Sequence, residues 1–386
     1  MPKIIGCLLL AVCLLVPCAI LPCAATTLEV SPAVSAQSAV LIEADSAEIA
    51  FAKAADFPLP MASTTKIMTA LVALELAEPT TELTVSAEAV GIEGSSIYLT
   101  EGETLTLEQL LYALLLESAN DAATAIAVGL SGNMEVFAAE MNRKAAELGL
   151  RQTHFTNPHG LDDSEHFTTA YELALIARAA LQNDLFRQIV STRKTTIPHA
   201  STNGSRLLVN HNKLLRLYDG CIGVKTGFTK KSGRCLVSAA ERDGVTLIAV
   251  TLNAPDDWDD HTKMLDYGFS RYESVLLCEG ESLLTPLSVV GGEDNYVMVC
   301  NVDALRVTLP TGHGAITKTV ELPRFVYAPM RNGEPVGRVV FRCDVNGDGI
   351  KETVGEAPLI ACYSVQRHTP KKSFWQWLLG LFDFFK

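Results

Sequence analysis

Ala62-Ser63-Thr64-Thr65-Lys66, running on into Ile67-Met68-Thr69-Ala70-Leu71-Val72-Ala73-Leu74-Glu75-Leu76, is the stretch on which the reading of this chain turns. Pro58 and Pro60 stop any regular element before it. Small hydroxyl residues then open a helix that is apolar on nearly every side, and such a helix is a buried one. Lys66 is the one cation in its first turns, and the i, i+3 spacing sets it on the same face as Ser63. A hydroxyl at a helix N-terminus beside a desolvated amine is what an activated serine nucleophile needs. The helix end favours developing negative charge, and burial drives the amine toward its neutral, basic form. A second Ser-x-x-Lys, Ser191-Thr192-Arg193-Lys194, carries an extra charge, has no apolar helix behind it and soon meets Pro198.

Two companions strengthen the Ser63 match. Ser118-Ala119-Asn120 falls between two helices, where a hydroxyl and an amide face a cleft. Lys225-Thr226-Gly227 falls on a strand, with Gly227 letting the backbone approach a ligand closely. Ser201-Thr202-Asn203 repeats the Ser-x-Asn pattern, which is therefore weak alone; Lys-Thr-Gly is rarer by chance. The three in this order, on helix, inter-helix turn and strand, form a motif set with an acyl-transfer chemistry.

Length and composition set the frame. The 386 residues give room for two or three domains and a large core, and 48% of them are apolar. A formal charge of −13 argues against a nucleic-acid partner. Lys3, the apolar run Ile4 to Leu21 and Cys23-Ala24-Ala25 read as a secretory signal over residues 1–25, with a retained N-terminal anchor as the alternative. Cys221, Cys235, Cys278, Cys300, Cys343 and Cys362 remain, too few and too spread for a disulfide framework. Cys221 and Cys235 either meet across a hairpin or stay free. No C-x-x-C or H-E-x-x-H occurs, so neither a metal nor a cofactor is expected.

Ala39 to Ala44 and Ile49 to Ala52 predict a hairpin around Asp45-Ser46. Thr106-Leu107-Glu108-Gln109 has capping-box spacing ahead of an apolar helix, Asp121 is placed to cap the next, and Asn133 to Leu148 and Thr169 to Leu181 have helical spacing. Ile222 to Thr226, Cys235 to Ala240 and Val245 to Leu252 read as successive strands, followed by a helix from Asp257 to Tyr267. Residues 274–366 read as a unit of short strands with strong turns at Asn332-Gly333 and Asn346 to Gly349. Asp344 to Gly349 imitates the start of a calcium loop, but its twelfth position is Gly355 where a bidentate Glu is required, which favours a hairpin turn.

On these motifs the chain resembles a low-molecular-mass penicillin-binding protein, a serine-type D-alanyl-D-alanine carboxypeptidase of the S11 kind. Asn157-Pro158-His159-Gly160-Leu161, Asn210-His211-Asn212-Lys213-Leu214-Leu215 and Gly223 to Thr229 resemble that family too, while Ser232 stands where Ala is common. The resemblance implies an α+β fold: an antiparallel sheet with helices on both faces and an all-helical subdomain over residues 26–270, then a small β-rich domain. It implies Ser63 as nucleophile, Lys66 as base, Ser118 as proton relay and Asn120 as the holder of Lys66 or substrate. Lys225, Thr226, Gly227 and Phe228 would bind substrate, the N–H groups of Ser63 and Phe228 forming an oxyanion hole. The implied partners are peptidoglycan stem peptides, with β-lactams as inhibitors.

Rival expectations use the same site. A DD-endopeptidase differs only in which D-Ala bond is presented. A β-lactamase needs a carboxylate for deacylation, for which Asp162, Asp163, Glu165 and Glu172 stand in the right part of the chain. A non-catalytic β-lactam receptor wants an output domain and several spanning helices. The tail Phe374 to Phe385 is about twelve residues against the ~20 needed to span hydrocarbon. Gln376, Gly380 and Asp383 form one polar stripe, so residues 367–386 read as a linker and an amphipathic helix on the outer face of the cytoplasmic membrane. An extracytoplasmic location follows from the signal.

Overall fold

The computed structural model describes residues 31–199 and 204–369; the signal stretch, Ser201-Thr202-Asn203 and the tail from Phe374 lie outside the described residues. Strand β1 (Ser38–Glu43) is buried along its whole length, as a strand covered on both faces must be. Val40 and Ile42 join the core that holds Ile67, Leu110 and Ile126, whereas Ala39 and Leu41 join the core that holds Met264 and Leu265. The period-2 alternation of a strand produces that split. β1 pairs with β2 (Ile49–Lys53) as the expected hairpin.

A 3₁₀ turn, Ala62–Thr65, leads into α1 (Lys66–Leu76), whose first eight residues are all buried. Short strands β3 (Glu82–Thr84) and β4 (Thr104–Thr106) pair and deliver the chain to α2 (Leu107–Leu116). The capping box forms there: Thr106 Oγ1 accepts from Gln109 N at 3.3 Å, and Gln109 Oε1 from Thr106 N at 3.0 Å. Helices α3 (Asn120–Ser131), α4 (Met134–Glu147), α5 (Ala170–Leu181) and α6 (Asp184–Ser191) follow. Asp121 is not the cap of α3; Ala119 is, and Asp121 sits in the first turn. Its carboxylate accepts from Ser96 Oγ at 2.6 Å and Leu99 N at 3.0 Å. Donors of that loop would otherwise be left buried without partners.

β5 (Lys194–His199) and β6 (Gly204–Val209) form a ribbon, and α7 (Leu214–Leu217) is a single turn. β7 (Cys221–Thr229), β8 (Gly233–Arg242) and β9 (Val245–Leu252) complete an antiparallel sheet of order β2-β1-β9-β8-β7, and α8 (Asp257–Arg271) packs on one of its faces. β7 is thus an edge strand. Cys221 pairs with Ala240 and Cys235 with Gly227, so these two cysteines do not meet and both are free.

The rest is β-rich: β10 (Tyr272–Cys278), β11 (Thr285–Val290), β12 (Tyr296–Cys300), β13 (Leu305–Pro310), β14 (Thr317–Glu321), β15 (Val326–Tyr327), β16 (Pro335–Cys343) and β17 (Glu352–Ala361). β10 pairs with β13, and the others form a sheet of order β14-β16-β17-β12-β11-β15. Not all of these strands are short: β16 and β17 run nine and ten residues, carried past two irregularities in register. Asp344 to Gly349 joins them as a turn, the Asp344 carboxylate accepting from Gly347 N and Gly349 N. Among the described residues no single helix is long and apolar enough to cross a membrane.

Candidate active site

Three stretches far apart in sequence meet around a cavity of about 370 Å³, whose lining includes Ser63, Ser118, Thr226, Gly227 and Phe228. Ser63 stands on the 3₁₀ turn rather than on the helix proper, one residue after Ala62, whose φ of +48° lies in the left-handed region. Non-glycine residues rarely adopt that conformation, and it persists only where surroundings enforce it. Here Thr64 Oγ1 donates to Met61 O at 2.6 Å and Thr65 Oγ1 to Ala62 O at 2.8 Å. Gly160, at φ +88°, packs so closely that a Cβ on it would lie 2.0 Å from Ala62 O. His166 Nε2 lies 2.8 Å from Thr65 Oγ1, and His166 Nδ1 accepts from Thr156 N at 3.1 Å. The hydrogen-bond pattern makes this a neutral imidazole, and burial pushes its pKa down to about 4.

Lys66 is fully buried, and its Nζ donates to Ser63 Oγ at 3.0 Å, Asn120 Oδ1 at 2.7 Å and His159 O at 2.5 Å. Burial, followed by the charge on Lys225, holds its pKa well below the ordinary lysine value, while Asp121 opposes the shift. An ammonium has three N–H groups for these three oxygens. A neutral amine keeps two and turns a lone pair on the third, and Ser63 Oγ is the one that has a proton to give.

Asn120 is fixed from its other end, Nδ2 donating to Glu93 O at 2.6 Å. Ser118 is buried at φ +61° and faces the cavity. Lys225 is buried on β7 with its Nζ donating to Thr226 O at 2.8 Å, and burial pushes its pKa down to about 7. A Cβ on Gly227 would fall 3.1 Å from both Ser63 N and Thr64 N, so the edge strand runs directly against the serine's turn. Phe228 stands exposed at the rim.

All eight expected site residues therefore lie in or against one site, and the second Ser-x-x-Lys does not reach it: Ser191 Oγ donates to Gln188 O at the end of α6. His159 serves through its backbone carbonyl, its imidazole pushed down to about 3 by burial and then by Lys66. None of Asp162, Asp163, Glu165 and Glu172 lines the cavity. Glu172 is occupied with Arg151 N, Gln152 N and Thr153 Oγ1, and Asp162 with Thr229 Oγ1.

Arg234, Asp257 and Trp258, to which the motifs assign no role, line the same cavity. Arg234 Nη2 donates to Asp257 Oδ1 at 2.7 Å, its guanidinium carbon lies 5.6 Å from the Trp258 ring centre, and its Nε is buried without a protein partner. The only signal was a lone cation in the apolar run Gly233-Arg234-Cys235-Leu236, beside the strand that carries Lys-Thr-Gly.

Residues 25–256 match the family model of D-alanyl-D-alanine carboxypeptidases, the S11 peptidases. The chain is 31% identical over 336 residues to the D-alanyl-D-alanine carboxypeptidase DacF of Bacillus subtilis, covering 84% of this chain and 85% of that one. It is 30% identical to DacC of Escherichia coli, covering 87% and 86%. Among solved structures it is similar to penicillin binding protein 5 from Haemophilus influenzae, with a TM-score of 0.65 and 27% identity over 88% of this chain and 99% of that one. The Streptomyces K15 DD-transpeptidase matches with a TM-score of 0.60 and 33% identity, over 62% of this chain and 99% of that one.

Proposed function

This chain belongs to the D-alanyl-D-alanine carboxypeptidase family of serine peptidases, and from that premise we propose that it trims the terminal D-Ala from peptidoglycan stem pentapeptides through an acyl-Ser63 intermediate. The observation that carries the assignment is the fully buried Lys66 amine, 3.0 Å from Ser63 Oγ and held by two further oxygens.

Ser63 Oγ attacks the carbonyl of the penultimate D-Ala while neutral Lys66 takes its proton. The N–H groups of Ser63 and Phe228 receive the oxyanion, in keeping with the close approach of β7 to the serine's turn. Ser118 passes a proton to the departing D-Ala amine, and Asn120 keeps Lys66 in place. The substrate backbone lies along the free edge of β7. Lys225, Thr226 and Arg234 gather its terminal carboxylate, Arg234 being braced by Asp257 and Trp258. Water then releases the acyl group. A β-lactam enters the same path at the Ser63 step and so acts as an inhibitor.

The catalytic unit spans residues 26–270 and the β-rich unit residues 274–366. The enzyme works outside the cytoplasm, and residues 367–386 hold it on the membrane surface; support for this comes from the polar stripe among Phe, Trp and Leu and from Lys371, Lys372 and Lys386.

The test is to incubate the purified protein with a stem pentapeptide and follow free D-Ala by mass spectrometry, with a labelled penicillin in parallel. Ser63→Ala should abolish both D-Ala release and labelling. Label on Ser118 or Ser191, or D-Ala release that persists without Ser63, would overturn the assignment.

A further inference from the structure

Of the six cysteines among the described residues, four have sulfurs committed to local partners. Cys221 donates to Gly223 O, Cys235 to Pro60 O and Cys343 to Gly314 O, while Cys278 accepts from Asn301 Nδ2. Cys300 and Cys362 differ: their Sγ atoms lie 3.1 Å from each other across 62 residues of chain. Cys300 ends β12 and Cys362 directly follows β17. Val299 pairs with Ala361, Cys300 with Ile360, and Cys362 N donates to Met298 O, so the two cysteines are diagonal neighbours on adjacent strands. We propose that Cys300 and Cys362 are a disulfide-forming pair that staples β12 to β17 when the protein meets a thiol oxidant.

Hydrogen bonds hold the backbone on both sides of the pair. Asn301 is fully buried, its amide donating to Glu279 O and Asp303 O and accepting from Leu283 N, which pins the chain beside Cys300. On the other strand Ala361 N donates to Glu334 O. A disulfide needs its sulfurs about 2.05 Å apart, so the sulfurs, 3.1 Å apart, have about an ångström to close. Cys362 is partly exposed and Cys300 buried, which fixes the order of events. The Cys362 thiolate attacks one sulfur of a disulfide-bearing oxidant, expelling the other as a thiolate and leaving a mixed disulfide. The Cys300 thiolate then attacks the Cys362 sulfur and expels the second thiolate. The pair loses two protons and two electrons; the oxidant gains both as two thiols. An extracytoplasmic protein meets such oxidants, and a bridge closing a long loop constrains the unfolded chain most.

The test uses the full chain with oxidised glutathione, followed by unfolding, iodoacetamide and peptide mapping. The expected result is a Cys300–Cys362 linked peptide, with Cys221, Cys235, Cys278 and Cys343 all alkylated. Cys300→Ser should stop at the glutathione adduct on Cys362, and Cys362→Ser, a change at the more exposed position, should give neither link nor adduct on Cys300. Alkylated Cys300 in the oxidised wild type, a glutathione adduct persisting on its Cys362, or links from either residue to another cysteine would each overturn the proposal. None of these readouts depends on D-Ala release.

Discussion

At the scale of single residues the site is a pair of lysines that cannot both be charged cheaply. Burial lowers the pKa of each, and the charge on Lys225 lowers Lys66 further. Removing Lys225 takes away a like charge, so the Lys66 pKa rises and less of the free base exists at acid pH. Lys225→Ala should therefore move the acid limb of the penicillin-acylation profile to higher pH, read as the second-order labelling rate against pH; a limb that stays in place or moves down would show that the two amines are not coupled. Arg234 has a different part in the proposed mechanism, where it meets charge on the ligand rather than the reacting atoms. Losing a hydrogen bond to a charged group costs about 1.5–3 kcal/mol, so Arg234→Ala should cut kcat/KM for a peptide ending in a free carboxylate roughly 10- to 100-fold. The same peptide with an amidated end should be nearly insensitive, and equal losses on both would deny Arg234 a carboxylate role.

Among the elements, two substitutions separate stability from chemistry. Thr106→Ala removes the capping box of α2 and should cost about 1 kcal/mol, measured by denaturant unfolding, with penicillin acylation unchanged. Gly160→Ala forces a Cβ against Ala62 O at a positive φ. It should cost roughly 2 kcal/mol or more and also slow acylation, because Ala62 and the His159 carbonyl position Ser63 and Lys66. An acylation rate equal to wild type would show that the turn tolerates the displacement. The capping box was legible in sequence as a local pattern with its own hydrogen-bond logic. The demand on Gly160 was not, because the atom it would strike lies in a turn almost a hundred residues earlier.

For the molecule as a whole, three buried imidazoles govern the response to acid. His159 and His261 are pushed down to about 3 and His166 to about 4, each chiefly by burial. Their folded pKa values lie below the unfolded value of about 6.5, so the unfolded chain binds more protons in between and stability rises with pH there. The contribution is fully present above about pH 6.5 and is lost as pH falls toward 3–4. The expected melting curve is flat in this respect at neutral pH and falls steadily below about 6.5; a Tm unchanged down to pH 4 would mean that these rings are not buried neutral. At the other end of the chain, deleting Phe374 to Lys386 should move active enzyme from the membrane fraction to the soluble one, and a truncated protein that stays with the membrane would place the anchor elsewhere.

Sequence by itself brought forward the candidates for the chemistry: Ser63, Lys66, Ser118, Asn120 and Lys225-Thr226-Gly227 are residue types that acyl transfer requires, and their local settings follow from hydrophobic period and turn signals. It also marked the strands of the main sheet, because the near-continuous apolar runs of β1, β8 and β9 must be covered on both faces. Only the tertiary structure decided what desolvates the Lys66 amine and lowers its pKa. Its partners Asn120 and the His159 carbonyl are 54 and 93 residues away, and desolvation is a property of everything packed around the amine rather than of any stretch of sequence. The same holds for Arg234, Asp257 and Trp258, brought to the cavity by a strand and a helix start that carry no motif, and for Cys300 and Cys362. Contacts across chain reversals depend on register and close packing, which leave no periodic mark in the sequence.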